Sequence, residues 1–341
     1  MRALFSALPL LSLALSAPVL AQEDDGAAWW AHVKILADDA MEGRGTGTPG
    51  YDRAADYVIG QFKALGLKPA GVDGYKQPVD FVEQRIQSDR SSAVLVGPQG
   101  EVPLAVPGDL IFSGGGGPVP ESIDAPMVFA GYGLHLPEVG HDDFAGLDLK
   151  GKMVVVLSGG PTTISGALKS HARSERAQWL AAQGAVGMIM LVTPKQVEIP
   201  WTRRVALAGA PALYYRDAAL RETRTPFLGA QLDPAKSAAL FAGSGQDFAA
   251  IAAAADASAP VASFPLALRL KAQVAASRRD LSSPNLVAVL PGSDAKLRND
   301  YVVMSAHLDG YGIGTPMKGD AIYNGAFDNA SGVASLLEIA K

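Results

Sequence analysis

The sequence predicts an α/β protein in two interleaved parts, and three observations carry that reading. Apolar runs of strand length alternate with helix-periodic segments along the chain. The stretch from residue 107 to 265 repeats the alternation on its own. The 341 residues, 48% of them hydrophobic, are more than one ordinary domain needs and supply apolar side chains for two cores. The expected layout is an export signal over 1–21, a main domain split between 22–106 and 266–341, and an insert over 107–265.

At the amino terminus Arg2 precedes an apolar run over residues 3–20, and Val19-Leu20-Ala21 offers small residues at the two positions that a signal peptidase reads. Cleavage after Ala21 is expected. The run is interrupted by Ser6, Pro9, Ser12, Ser16 and Pro18 and falls short of the roughly 20 continuous apolar residues of a membrane span, so no stable anchor is expected. The chain has no cysteine, which excludes a disulfide framework and a lipid on a cysteine. A periplasmic or secreted protein fits these features. The net charge of -5 is spread over both signs with no basic run, which argues against nucleic acid as a partner.

Residues 29–40 read as a short helix. A glycine-rich turn over 41–50 leads to a second one, in which Tyr51, Ala54, Ala55, Val58, Phe62 and Leu65 recur at helical spacing. Thr48 and Pro49 suit its start and Gly66 its end. The turn lacks the Gly-Lys-Ser/Thr ending of a phosphate loop and follows no strand, so nucleotide binding is not expected. Residues 77–84 and 91–97 are expected as strands. In the insert, 125–133, 152–158 and 186–192 read as strands and 174–183 as a helix. Its histidines, His135, His141 and His171, lack ligand spacing and read as surface or turn residues. An alanine-rich helix over 249–259 leads back to the main domain.

The informative segment comes last. Residues 285–290 and 301–306 read as neighbouring strands, and the second ends on His307-Leu308-Asp309. Open α/β sheets bind ligands at the carboxyl ends of their strands. A glycine-rich loop then leads to Asp328, ahead of a helix with Val333, Leu336, Leu337 and Ala340 on one face. Imidazole and carboxylate are ligands that zinc accepts, and a ligating histidine is usually oriented by a second acid, a part open to Asp309. His-x-Asp alone is a weak signal, and Asp-Asn before a helix is commonly a cap.

Together with the Glu-Gly-Arg-Gly-Thr-Gly-Thr-Pro-Gly turn of 42–50, the segments 128–133 and 142–152, and the run 319–325 into Asp328-Asn329-Ala330-Ser331-Gly332, the chain resembles a family of enzymes. It is similar to family 28 of the metallopeptidases, the bacterial leucyl aminopeptidase and aminopeptidase Y group, in its form with an inserted protease-associated domain. The resemblance implies a zinc-exopeptidase mixed-sheet sandwich (phosphorylase/hydrolase-like), incomplete here, around an α/β insert. It also implies peptide substrates and a pair of Zn2+ ions, with His307 binding one ion, Asp328 bridging both and Asp309 orienting His307. The general base, a Glu-Glu pair, a further acid and a second histidine lie downstream in the family, so the chain is expected to be truncated at Lys341 and inactive alone. Glu338 is expected at the surface. Gly310 and Phe327 stand where many members have histidine and aspartate. Two alternatives remain open: a non-catalytic, receptor-like scaffold of the same fold, and a glutaminyl cyclase-like enzyme with one zinc.

Overall fold

The computed structural model describes residues 26–114 and 116–341. The expected export signal lies outside the described residues. Among the described helices, none is long and apolar enough to cross a membrane.

The first helix, Ala27–Leu36, buries Val33 and Leu36. It ends four residues earlier than the apolar pattern suggested, because Asp38 turns the chain into a short 3-10 segment, Asp39–Arg44, by accepting from the Ala40 N–H at 2.9 Å. The second helix, Pro49–Ala64, has the expected bounds. Thr48 caps it by accepting from the Tyr51 N–H, proline opens it, and Gly66 leaves it at φ 70. Its buried face, Tyr51, Ala54, Ala55, Val58 and Phe62, forms one core with Val33, Leu36, Leu308 and the last helix, Ser331–Ile339, through Val333, Ala334 and Leu337. Trp29 ties the first helix to the last by donating from Nε1 to Ser335 Oγ at 3.0 Å.

Two larger sheets build most of the rest, beside three two-stranded ones. Strand Lys76–Ile86 pairs antiparallel with Ala276–Leu286 over its whole length, from Lys76↔Leu286 to Ile86↔Ala276, and with Ala212–Tyr215 on its other edge. The larger, mixed sheet has eight strands in the order Gly100–Leu104, Ser92–Gly97, Ser263–Gln273, Ser122–Ala130, Met153–Leu157, Gly187–Leu191, Leu228–Leu232 and Leu110–Ser113. Met153–Leu157 is buried at every position because it lies between two parallel strands, which is why its sequence is uniformly apolar. This sheet runs wider than residues 107–265 on both sides. Leu266, Leu268, Leu270 and Ala272 alternate inward along Ser263–Gln273, which adds that strand and its partner Ser92–Gly97 to the insert's core.

One strand expectation is overturned. Residues 285–290 do join the segments before Gly97: Asn285 and Leu286 close the long pair with Gln77 and Lys76, and Ala288–Val289 pairs with Lys68–Pro69. Residues 301–306 form no strand, and Val302 and Val303 are 93% and 86% exposed. Such an apolar run suits a strand flanked on both edges, and among the described residues no strand lies beside it to accept its N–H groups.

Candidate metal centre

Leu308 is the anchor of the His-Leu-Asp segment, its side chain sunk in the core beneath the second helix. That leaves His307 and Asp309 on the opposite side, facing out. His307 Nδ1 lies 3.2 Å from Asp309 Oδ1, and His307 Nε2 lies 3.0 Å from Asp328 Oδ1. The structure thus brings together the three side chains singled out in the sequence. Asp328 follows Gly325, which turns the chain at φ 61, and the next residue, Asn329, caps the last helix by accepting from the Gly332 N–H at 3.0 Å. The cap role is therefore filled by Asn329, and Asp328 is free to face His307.

The donor set fits a metal ion. Two ligand atoms each about 2.0–2.1 Å from one ion at a tetrahedral angle are about 3.3 Å apart, close to the His307–Asp328 separation. Each imidazole nitrogen of His307 faces a carboxylate, Nδ1 that of Asp309 and Nε2 that of Asp328. His307 and Asp328 supply two ligands, and among the described residues no group of three or more histidines and carboxylates gathers to hold a metal.

Sequence reasoning missed what holds this site in place. Arg44 is fully buried and donates only to backbone carbonyls: from Nε to Leu308 at 2.8 Å, from Nη1 to Asn324 at 2.7 Å and to Leu36, and from Nη2 to Gly325 at 2.9 Å. Burial lowers its pKa, an effect opposed by the charges of Asp309 and Asp328. Thr46 donates to Asp309 Oδ2 at 2.7 Å. Gly43 has φ 63, and a Cβ there would lie 2.6 Å from the carbonyls of Gly312 and Tyr323. A Cβ on Gly310 would lie 2.6 Å from the Gly43 carbonyl, so the two glycines allow the two segments to approach this closely. The available signal was the density of glycine around a single arginine in residues 43–50.

The cleft beside the centre, about 460 Å³, is lined by His307, Asp309 and Asp328 together with Thr46, the Glu83–Arg279 pair and Leu213 of the insert. A second cavity of about 420 Å³ on the other side of His307 reaches Tyr51. Burial, reinforced by the charge of Asp309, pushes the Tyr51 phenol up to about 12, and its hydroxyl donates to the Pro284 carbonyl at 2.5 Å. Glu338 departs from expectation: it is partly buried and pairs with His32 at 3.2 Å, away from the centre. His135, His141 and His171 each sit beside a carboxylate within the insert, Asp142, Asp143 and Glu175 respectively.

A histidine and two carboxylates thus meet beside a cleft of the mixed α/β fold. Residues 285–341, the segment that carries His307, Asp309 and Asp328, match the model of peptidase family M28. No curated protein matches the sequence. Among solved structures, the chain is similar to an aminopeptidase from Aneurinibacillus sp. strain AM-1, with 20% identity, 93% of this chain and 58% of that one covered, and a TM-score of 0.45. It is also similar to a zinc aminopeptidase from Bacillus subtilis, with 17% identity, 92% and 56% covered, and a TM-score of 0.38. The chain therefore spans a little over half the length of the solved structures it matches.

Proposed function

We propose that this chain belongs to an exported, zinc-dependent aminopeptidase that hydrolyses the amino-terminal bond of peptides with a co-catalytic pair of zinc ions. In this reading the export signal is removed after Ala21, and the insert is a protease-associated domain. The observation that carries it is the His307–Asp328 contact at 3.0 Å, with the other imidazole nitrogen held by Asp309, inside a segment that matches a peptidase family.

His307 would hold one ion, and Asp328, whose second carboxylate oxygen is not engaged by His307, would bridge to the other. The chemistry that such a pair supplies when bound is activation of water and stabilisation of charge at the scissile carbonyl. Asp309 keeps the proton on Nδ1, so that Nε2 presents its lone pair to the cleft. The cleft wall from Thr46 to Leu213 gives an extended peptide a surface to lie on.

A co-catalytic pair needs the bridging acid and about two further protein ligands on each ion. His307 and Asp328 supply part of that set, and the receptor-like scaffold is the second reading. Hydrolysis of aminoacyl anilides with zinc supplied separates the two. Residues 22–341 alone are expected to be inactive, and a longer chain carrying the downstream Glu-Glu pair and second histidine is expected to turn over and to stop when a chelator is added. A longer chain that folds yet is inert and metal-free would hand the case to the scaffold.

A further inference from the structure

We propose that the glycine-rich turn of residues 42–48 is a positioning element of the metal centre, in which Thr46 fixes the Asp309 carboxylate, and through it His307, while Arg44 fixes the chain leading into Asp328. The proposal rests on the metal-centre reading above and gives a role to a turn that has no phosphate-binding features.

Three observations support it. The first is connectivity. The turn lies more than 260 positions before the residues it holds, yet its polar side chains reach both halves of the site: Thr46 reaches Asp309 Oδ2, and Arg44 reaches the carbonyls of Leu308, Asn324 and Gly325. The second is backbone cost. Glu42, Gly43 and Arg44 take φ values of 50, 63 and 54 in succession, a left-handed stretch in which the two residues bearing a Cβ are disfavoured. The bonds made by Arg44 and the close approach of Gly43 to Gly312 are the contacts that offset that cost.

The third is the way Asp309 is held. His307 and Asp328 have side chains more than half exposed, where rotamers are otherwise free. Asp309 is met at both carboxylate oxygens, at Oδ2 by Thr46 and at Oδ1 by His307 Nδ1, which also lies 3.1 Å from the Asp309 carbonyl, so Thr46 is the contact that belongs to the carboxylate alone. Thr48, two residues on, shows what a purely structural hydroxyl does in this turn: it donates to the Gly45 carbonyl. Thr46 spends its proton on the metal site instead. The turn therefore acts before any metal arrives, by presetting the separation of His307 Nε2 and Asp328 Oδ1.

The test uses Thr46→Val and Thr46→Ser in the full-length protein, because Arg44 variants risk misfolding. Zinc affinity is measured by competition with a chromophoric chelator, geometry by the visible spectrum of the cobalt(II) form, and fold by the thermal midpoint. Thr46→Val is expected to weaken metal binding about 10- to 100-fold and to alter the cobalt spectrum with the midpoint little changed. Thr46→Ser, which keeps the hydroxyl, is expected to restore both. Unchanged affinity and spectrum in Thr46→Val would overturn the proposal, as would equal impairment in Thr46→Ser, which would assign the effect to the methyl group. An unaltered protein that binds no metal would overturn the metal-centre reading and the proposal with it, and that failure is told apart because it needs no variant.

Discussion

Asp328→Asn is expected to lower hydrolysis of aminoacyl anilides by the zinc-supplied, full-length protein by at least about a thousandfold. The amide keeps the shape of the carboxylate but loses the negative charge and the second oxygen that a bridge between two cations requires. A bound metal brings the pKa of water down to near neutrality, and each 1.4 kcal/mol of lost transition-state stabilisation is about tenfold in rate. In the proposed two-ion centre Asp328 would be the shared ligand, and its loss would remove most of that gain. The Asp328 side chain is 66% exposed and its ion-pair partner is His307, so the substitution is expected to leave stability within about 0.5 kcal/mol of the parent. Activity within tenfold of the parent would show that Asp328 does not bridge.

Arg44→Met is expected to destabilise the protein by about 3 kcal/mol or more, read from urea unfolding. Methionine fills much of the volume but leaves the carbonyls of Leu36, Leu308, Asn324 and Gly325 without their donor. Each unmet buried acceptor costs about 1–3 kcal/mol, and relief from burying the guanidinium offsets part of the sum. Against a typical total stability of about 5–15 kcal/mol, such a loss also lowers soluble yield. A change below about 1 kcal/mol would mean that water or a shifted backbone satisfies these carbonyls, and that Arg44 does not hold the three segments together.

The contrast between Thr48 and Arg44 explains what was legible in the sequence. The start of helix Pro49–Ala64 is set by Thr48, Pro49 and an apolar face, all within one window, so the residues announce it. His307, Asp309 and Asp328 stood out in the sequence because their residue types and spacing resemble those of a known family, and the structure brings their side chains into contact. Apart from the bond of Arg44 to Leu36, Arg44 and Thr46 act on residues at least 263 positions away, and nothing in the local turn records that reach. Residues 301–306 show the reverse failure. Their composition is that of a buried strand, but a strand exists only with a neighbour, and pairing is not written in the strand itself. A related case is Ser92–Gly97, which the sequence places before the expected insert and which pairs with Ser263–Gln273 from its far end.

The central claim, that His307 and Asp328 share a metal ion, is tested most directly by zinc-edge anomalous diffraction from crystals of the zinc-supplied full-length protein. The account predicts a zinc peak about 2.0–2.2 Å from both His307 Nε2 and an Asp328 carboxylate oxygen, with Asp309 still on Nδ1. Zinc on Nδ1, zinc held only by the insert histidines His135 or His141, or no zinc at His307 would contradict it.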